Sequence, residues 1–136
     1  MQPSQRPLRS PWRGLGAVAL LVTAGAHLSL VPEHLREAPY VGVLFLALSV
    51  VSIVLAGLVV ARDRPLVWVT SGTVSLLAMA GFLVSRTVGL PELGDDIGNW
   101  TEPLGFPALA AETVTVVLTI LVLRRATLGR TTPAAP

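Results

Sequence analysis

The sequence predicts an all-α fold, a bundle of four helices that cross a membrane. Only 13% of the 136 residues are charged, whereas a soluble domain has about 25%. The hydrophobic fraction is 52% and the mean hydropathy is +0.70. The third observation is the layout, because four long apolar runs alternate with short polar segments. Composition and layout together place the chain among integral membrane proteins.

The four predicted spans cover about residues 14–31, 40–61, 66–85 and 105–123. As a helix the first run measures roughly 27 Å, just enough to cross a hydrocarbon core, and it stops at Pro32. Gly and β-branched residues are common in these runs, but in lipid every backbone N–H and C=O must pair internally, so the runs are helical. We expect one transmembrane domain over residues 14–124, with disordered cytoplasmic tails at 1–13 and 125–136.

Arginine placement predicts the orientation, because cytoplasmic loops carry an excess of basic residues. All ten basic residues are Arg, and eight fall on the side that holds both termini: Arg6, Arg9, Arg13, Arg62, Arg64, Arg124, Arg125 and Arg130. The other side holds Arg36 and Arg86 together with most of the acids. We therefore expect a multi-pass protein of the plasma membrane, in the cell envelope, with both termini in the cytoplasm.

A cleaved signal peptide is the alternative interpretation of the first run. An Arg-rich start, an apolar run and Ala24-Gly25-Ala26 resemble a signal sequence with an A-x-A cleavage site. The apolar run continues past that site to Val31, which favours an uncleaved span. Cleavage would leave a chain that starts at His27, has three spans and carries its termini on opposite sides.

Few ionisable residues lie inside the predicted spans, where a charge costs roughly 2.5–3.5 kcal/mol on insertion scales. His27, Arg86 and Glu112 all fall in the outer third of the bilayer, so they could converge. We expect a structural ion pair between Arg86 and Glu112. Ser and Thr recur at helical spacing on the four runs, which predicts polar stripes that face the interior of the bundle.

A metal site is one hypothesis for these polar groups. His27, His34, Glu102 and Glu112, with Glu33 nearby, form the nitrogen and oxygen ligand set that suits Zn or Cu. The chain has no Cys, which excludes thiolate zinc sites and iron–sulfur clusters. The zinc-binding H-E-x-x-H pattern is absent, so the spacing itself does not identify a metal.

Short motifs resemble an uncharacterised family of small four-helix membrane proteins of actinobacteria. The matching pieces are His27 with Pro32-Glu33-His34, Tyr40-Val41-Gly42-Val43-Leu44-Phe45, Arg86-Thr87-Val88-Gly89-Leu90-Pro91 and Glu102-Pro103-Leu104-Gly105. The resemblance covers about residues 14–124, and the RTVGLP and EPLG pieces are the specific part. It implies the fold and a location in the envelope, and it draws attention to the five polar residues in or near these pieces: His27, His34, Arg86, Glu102 and Glu112. The family has no established activity, so the resemblance implies no substrate.

Two functions remain open at this stage. The first is a non-enzymatic membrane protein whose outer polar site binds a cation or a proton, as an accessory subunit of a larger complex or as a homo-oligomer. The second is a redox-linked subunit in which His27 and His34 ligate haem or contact a quinone. The pI near 10.4 does not indicate nucleic-acid binding, because the Arg residues sit at the ends of apolar runs. The lipid bilayer is the expected partner.

Overall fold

The structure of the chain is a computed structural model that describes residues 8–128. Its helices are α1 (Arg13–Glu37), α2 (Pro39–Arg62), α3 (Pro65–Thr87) and α4 (Gly105–Leu128), and a single 3₁₀ turn occupies Gly94–Asp96. All four α-helices are long and apolar enough to cross a membrane. The predicted all-α fold with four candidate spans is therefore confirmed.

Helix α1 is longer than the sequence predicts. It continues through Pro32 and ends only at Glu37, before the Ala38–Pro39 step that begins α2. Pro32 cannot donate a hydrogen bond to the carbonyl four residues earlier, but membrane helices tolerate such a loss. The added turns pack Leu35 against Gly42 of α2, where an added Cβ would lie 2.7 Å from the Leu35 backbone nitrogen. This close packing explains why the helix continues past the proline.

The four helices alternate in direction, so the bundle has two different ends. The termini end holds the start of α1, the end of α4 and the α2–α3 turn, and the connection end holds the 88–104 connection between α3 and α4. Helix α1 packs on α2 and α4, and α3 packs on α4, whereas α2 and α3 touch least. A cluster of buried apolar side chains fills the termini end: Ala17, Leu20, Leu55, Ala56, Val59, Trp68, Leu118 and Val122.

Residues 8–12, which the sequence assigns to a disordered tail, are ordered against the termini end. The buried carboxylate of Asp63 accepts hydrogen bonds from the indole N–H of Trp68, at 2.7 Å, and from the backbone N–H of Ser10. The Asp63 carbonyl accepts a third bond from the Leu8 N–H, also at 2.7 Å. The prediction of a disordered tail is wrong for these residues because Asp63 supplies their backbone with acceptors. Residues 1–7, and 129–136 of the other predicted tail, lie outside the described part of the chain.

Hydroxyl side chains line the interior of the bundle, as the polar stripes predict. The buried Ser and Thr residues are Thr23, Ser49, Ser52, Ser71, Ser75, Ser85, Thr115 and Thr119, in addition to Ser10 of the N-terminal segment. Some bond a carbonyl of their own helix, as Thr115 does to Ala111 at 3.0 Å. Ser49 also bonds the Ala24 carbonyl of α1 at 3.1 Å. Small polar residues therefore both fill and cross-link the interior, while large aliphatic side chains face outward.

Two glycines of α2 test whether this close packing stabilises the bundle. Gly42→Ala forces a methyl group into the Leu35 backbone, so we expect the free energy of unfolding to fall by about 1–3 kcal/mol. Gly57→Ala is the matched control, because nothing lies within 4 Å of an added Cβ there. Equilibrium unfolding in mixed detergent micelles measures both variants. Equal losses would show that the α1–α2 contact is not the source of stability.

Candidate functional site

The 88–104 connection is held over one end of the bundle by Arg86, which is 4% exposed. Its Nη2 donates a hydrogen bond to Glu102 Oε2 at 2.6 Å, and its Nη1 lies 2.7 Å from Asp96 Oδ1, in an ion pair that lacks hydrogen-bond geometry. The Arg86 carbonyl accepts the N–H of Gly98 at 2.9 Å. The Phe82 ring lies beneath the guanidinium, 4.9 Å from its carbon. One side chain thus gathers two carboxylates of the connection at the end of α3.

The predicted Arg86–Glu112 ion pair is not among the contacts of the described residues. Arg86 ends α3 at the level of the connection, whereas Glu112 lies two turns inside α4. Asp96 and Glu102 reach the guanidinium from the folded connection and occupy it. The sequence shows both positions, but it does not show that the connection folds back onto α3.

Glu112 has a different neighbour, the imidazole of His27. Their closest atoms, Glu112 Oε1 and His27 Nε2, lie 3.8 Å apart. His27 Nδ1 lies 2.9 Å from the Thr23 carbonyl, and a carbonyl only accepts, so Nδ1 carries the proton. In the neutral ring Nε2 is then an acceptor. Glu112 is 1% exposed, and its Oε1 has no hydrogen-bond partner in the part of the chain that the structure describes.

Both groups line a cavity of about 470 Å³ that lies between α2 and α3. Its polar lining includes Tyr40, Ser85 and Asp96 together with all five residues that the sequence singles out: His27, His34, Arg86, Glu102 and Glu112. The remaining lining is mostly apolar and includes Leu30, Leu44, Phe45, Leu48, Val74, Leu77, Ala78 and Leu109. The fold therefore brings the candidate residues to the same cavity. They lie at its polar end, which faces the connection, and the rest of the cavity is mostly apolar.

A second, acidic cleft lies on the other side of His34. It is lined by Glu33, His34, Glu37, Glu92, Asp95, Asp96 and Glu102. His34, Asp96 and Glu102 line both spaces. The imidazole of His34 resembles that of His27 in its bonding, since its Nδ1 lies 3.0 Å from the Leu30 carbonyl. His34 thus stands between the apolar cavity and the acidic surface of the connection.

The ligands proposed for a metal do not converge. Within residues 8–128, no three His, Cys, Asp or Glu side chains are arranged to hold a metal ion. His27 and His34 share one face of α1, because the helix continues through Pro32, but they are two turns apart. The Phe45 ring contacts both imidazoles, with centroids 5.0 and 4.7 Å away. Two histidines on the same side of one helix do not face each other across a haem iron either.

Two residues of the site escape sequence reasoning. Phe45 lies in the most uniformly apolar run and carries no signal that distinguishes it from its neighbours. Asp96 sits in the acidic connection, where several carboxylates are equivalent until the chain folds. The RTVGLP piece contained the relevant clue, because its Arg is the cation that selects Asp96 and Glu102 as partners.

No family model, no curated protein and no solved structure matches this chain. The candidate site therefore stands on its own geometry: a buried carboxylate and an imidazole face each other at the polar end of a mostly apolar cavity.

Double-mutant cycles test the assignment of partners to Arg86. Arg86→Gln removes two contacts to carboxylates that are themselves partly exposed, so we expect the free energy of unfolding to fall by about 2–3 kcal/mol. Glu102→Gln should couple to Arg86→Gln by about 1 kcal/mol or more, because the two side chains are in direct contact.

The matched control is the cycle of Arg86→Gln with Glu112→Gln, for which we expect additive effects. Both cycles are read from equilibrium unfolding in mixed micelles. Strong coupling of Arg86 to Glu112, with additivity toward Glu102, would contradict the geometry described above.

Proposed function

We propose that this chain is a membrane protein that binds a quinone-class molecule in the cavity between α2 and α3. The observation that carries the proposal is the carboxylate of Glu112, which is 1% exposed, lies in a mostly apolar cavity and has no hydrogen-bond partner for its Oε1 among the described residues. A buried polar group without a partner is costly unless a ligand satisfies it. Glu112 lies against His27, so a ligand head placed there meets both groups.

The chemistry of the two groups fits a quinone or quinol head. His27 Nε2 accepts a hydrogen bond from a quinol O–H, and a protonated Glu112 donates one to a quinone carbonyl. The pair can hold a proton on either member, so it can exchange a proton with the bound head. The apolar lining suits the ring and the start of a hydrocarbon chain. The proton binding expected from the sequence is thus part of the same proposal.

Other ligand classes fit the cavity less well. A phosphate headgroup needs a free cation, but both terminal nitrogens of Arg86 contact carboxylates. A Zn or Cu ion needs ligands that converge, and those of the described chain are spread over α1, the connection and α4. A haem needs axial ligands on opposite sides of the iron, whereas His27 and His34 share one helix face. We therefore favour the hypothesis of a bound quinone over those of a bound metal ion or haem.

We propose a binding role rather than turnover, as an accessory subunit of a larger membrane complex or as a homo-oligomer in the plasma membrane. Four helices that can span a bilayer support the membrane location. The resemblance to the actinobacterial four-helix family stays a prediction, as does an uncleaved first span. The burial of Leu20 and Ala24 inside the bundle supports the uncleaved form, because cleavage before His27 would remove both residues from the core.

Ligand binding by two variants tests the proposal. One substitution removes the carboxyl group of Glu112, and the other adds bulk to the cavity wall. Glu112→Leu removes both carboxyl oxygens, and with them the hydrogen bond that a protonated Glu112 donates to a quinone carbonyl, and we expect decylubiquinone to bind about 10- to 100-fold more weakly. Gly81→Leu adds a large side chain at the cavity wall, at a position where an added Cβ has nothing within 4 Å, and should abolish binding. Tryptophan emission of the protein in lipid nanodiscs reports binding, since Trp100 packs on Phe82 of the cavity wall.

Gly57→Leu is the control for the cavity filling, because Gly57 is equally open but does not line the cavity. It should bind the probe like the unsubstituted protein. Unchanged affinity in both Glu112→Leu and Gly81→Leu would reject the quinone site. Stoichiometric zinc or copper that copurifies and is lost in His27→Ala would instead favour the metal reading.

We also propose that both termini lie in the cytoplasm, which the distribution of Arg supports. The chain has no Cys, so single introduced thiols report the orientation. In intact cells, a membrane-impermeant maleimide should label Glu92→Cys on the connection and spare Thr127→Cys near the end of α4. Lysis should expose Thr127→Cys to the reagent. The reverse pattern would place the connection in the cytoplasm.

A further inference from the structure

The cavity is closed toward the connection end by several separate contacts. Arg86 holds the connection from α3 through Asp96 and Glu102. From α2, the Tyr40 hydroxyl donates a hydrogen bond to the Pro91 carbonyl at 2.7 Å. Leu93 of the connection is buried in a small apolar cluster at the α1–α2 link. The connection is therefore fastened to both walls of the cavity and caps it.

The opposite end of the cavity is closed as well. Below it the apolar cluster of the termini end fills the bundle, with Leu20, Val59 and Trp68 fully buried. Helices α1 and α4 pack on each other and form the back of the cavity, which they line with His27 and Glu112. In the part of the chain that the structure describes, packed side chains therefore cover both ends of the cavity and its back.

The side between α2 and α3 is different. These two helices touch least of the neighbouring pairs, although they follow each other in the chain. Leu44 of α2 and Leu77 of α3 both line the cavity, yet they are 60% and 67% exposed. A lining residue that is also exposed lies at an opening, and on a helix that spans a bilayer that opening faces acyl chains. The cavity is thus continuous with the lipid-facing surface.

We propose that this gap is a lateral portal, through which the ligand passes from the lipid and in which its hydrocarbon chain lies. The inference rests on the proposed function, because it concerns the same cavity and the same ligand. It adds a subsite for the hydrocarbon chain, formed by Leu44, Ala47, Leu77 and Ala78, and separates it from the His27–Glu112 subsite for the head. The hydrocarbon chain of a molecule bound there stays at the lipid-facing gap, so only the head has to move into the interior of the bundle.

The portal can be closed chemically. Ala47 and Ala78 lie on opposite walls of the cavity, at about 12 and 13.5 Å from the connection ends of α2 and α3 by helical rise. In the Cys-free chain, an Ala47→Cys/Ala78→Cys pair is cross-linked with bifunctional maleimides of graded length. We expect the association rate of decylubiquinone, followed by stopped-flow tryptophan quenching in nanodiscs, to fall at least 10-fold after cross-linking. The same pair treated with a monofunctional maleimide of small size is the control.

Tyr40→Phe addresses the other route, because it keeps the ring that lines the cavity and removes only the hydrogen bond that holds the connection. If the ligand enters laterally, Tyr40→Phe leaves the association rate unchanged. An association rate that rises in Tyr40→Phe and is unaffected by the cross-link would overturn the portal while leaving the binding site intact. Cross-linking between two chains that each carry only Leu77→Cys would also overturn it, because a second copy would then cover the gap. Failure of the unmodified protein to bind the probe would reject the proposed function and the portal together.

Discussion

A bilayer offers no hydrogen-bond partner to a polar group, and this constraint orders the whole structure. The four helices keep their backbone bonds internal and turn their large aliphatic side chains outward. Lipid tails and apolar side chains are similarly apolar, so hydrophobicity does not decide which helix faces pack in the interior. Small and hydroxylated residues select it instead, through close contacts such as Gly72 on Thr119 and through bonds such as Thr119 to the Trp68 carbonyl. Several buried side-chain atoms of the described chain still lack a hydrogen-bond partner, and the Oε1 of Glu112 is the one among them that belongs to a carboxyl group.

The sequence predicts the number and approximate place of the helices because each depends on composition over many residues. It also predicts which faces are polar, since Ser and Thr recur at helical spacing. Prediction from the sequence fails where a single tertiary contact determines a helix end or the partner of a charged group. Pro32 indicates a helix end, but packing of Leu35 on Gly42 carries α1 five residues further. The ion pair is missed for the same reason, because the path of the connection, rather than depth along a helix, gives Arg86 its partners.

The two ends of the bundle have different chemistry. At the termini end, Trp68 and its apolar neighbours fill the interior of the bundle. At the connection end, acidic side chains, two imidazoles and a buried guanidinium gather around open space. The proposed function therefore concerns one half of the bundle, and the packed side chains of the other half hold the helices together. The same division explains why five polar residues scattered over the sequence meet in one cavity: each lies in the half of its segment nearest the connection.

The fastening of Leu8 and Ser10 to Asp63 has a consequence for biosynthesis. The acceptors of this contact lie more than fifty residues downstream of their donors. During synthesis, α2 and the following Asp63 must leave the ribosome before the N-terminal segment has its hydrogen-bond acceptors. The N-terminal segment thus docks late, although it is synthesised first. Its docking indicates that α1 and α2 have been inserted and have paired.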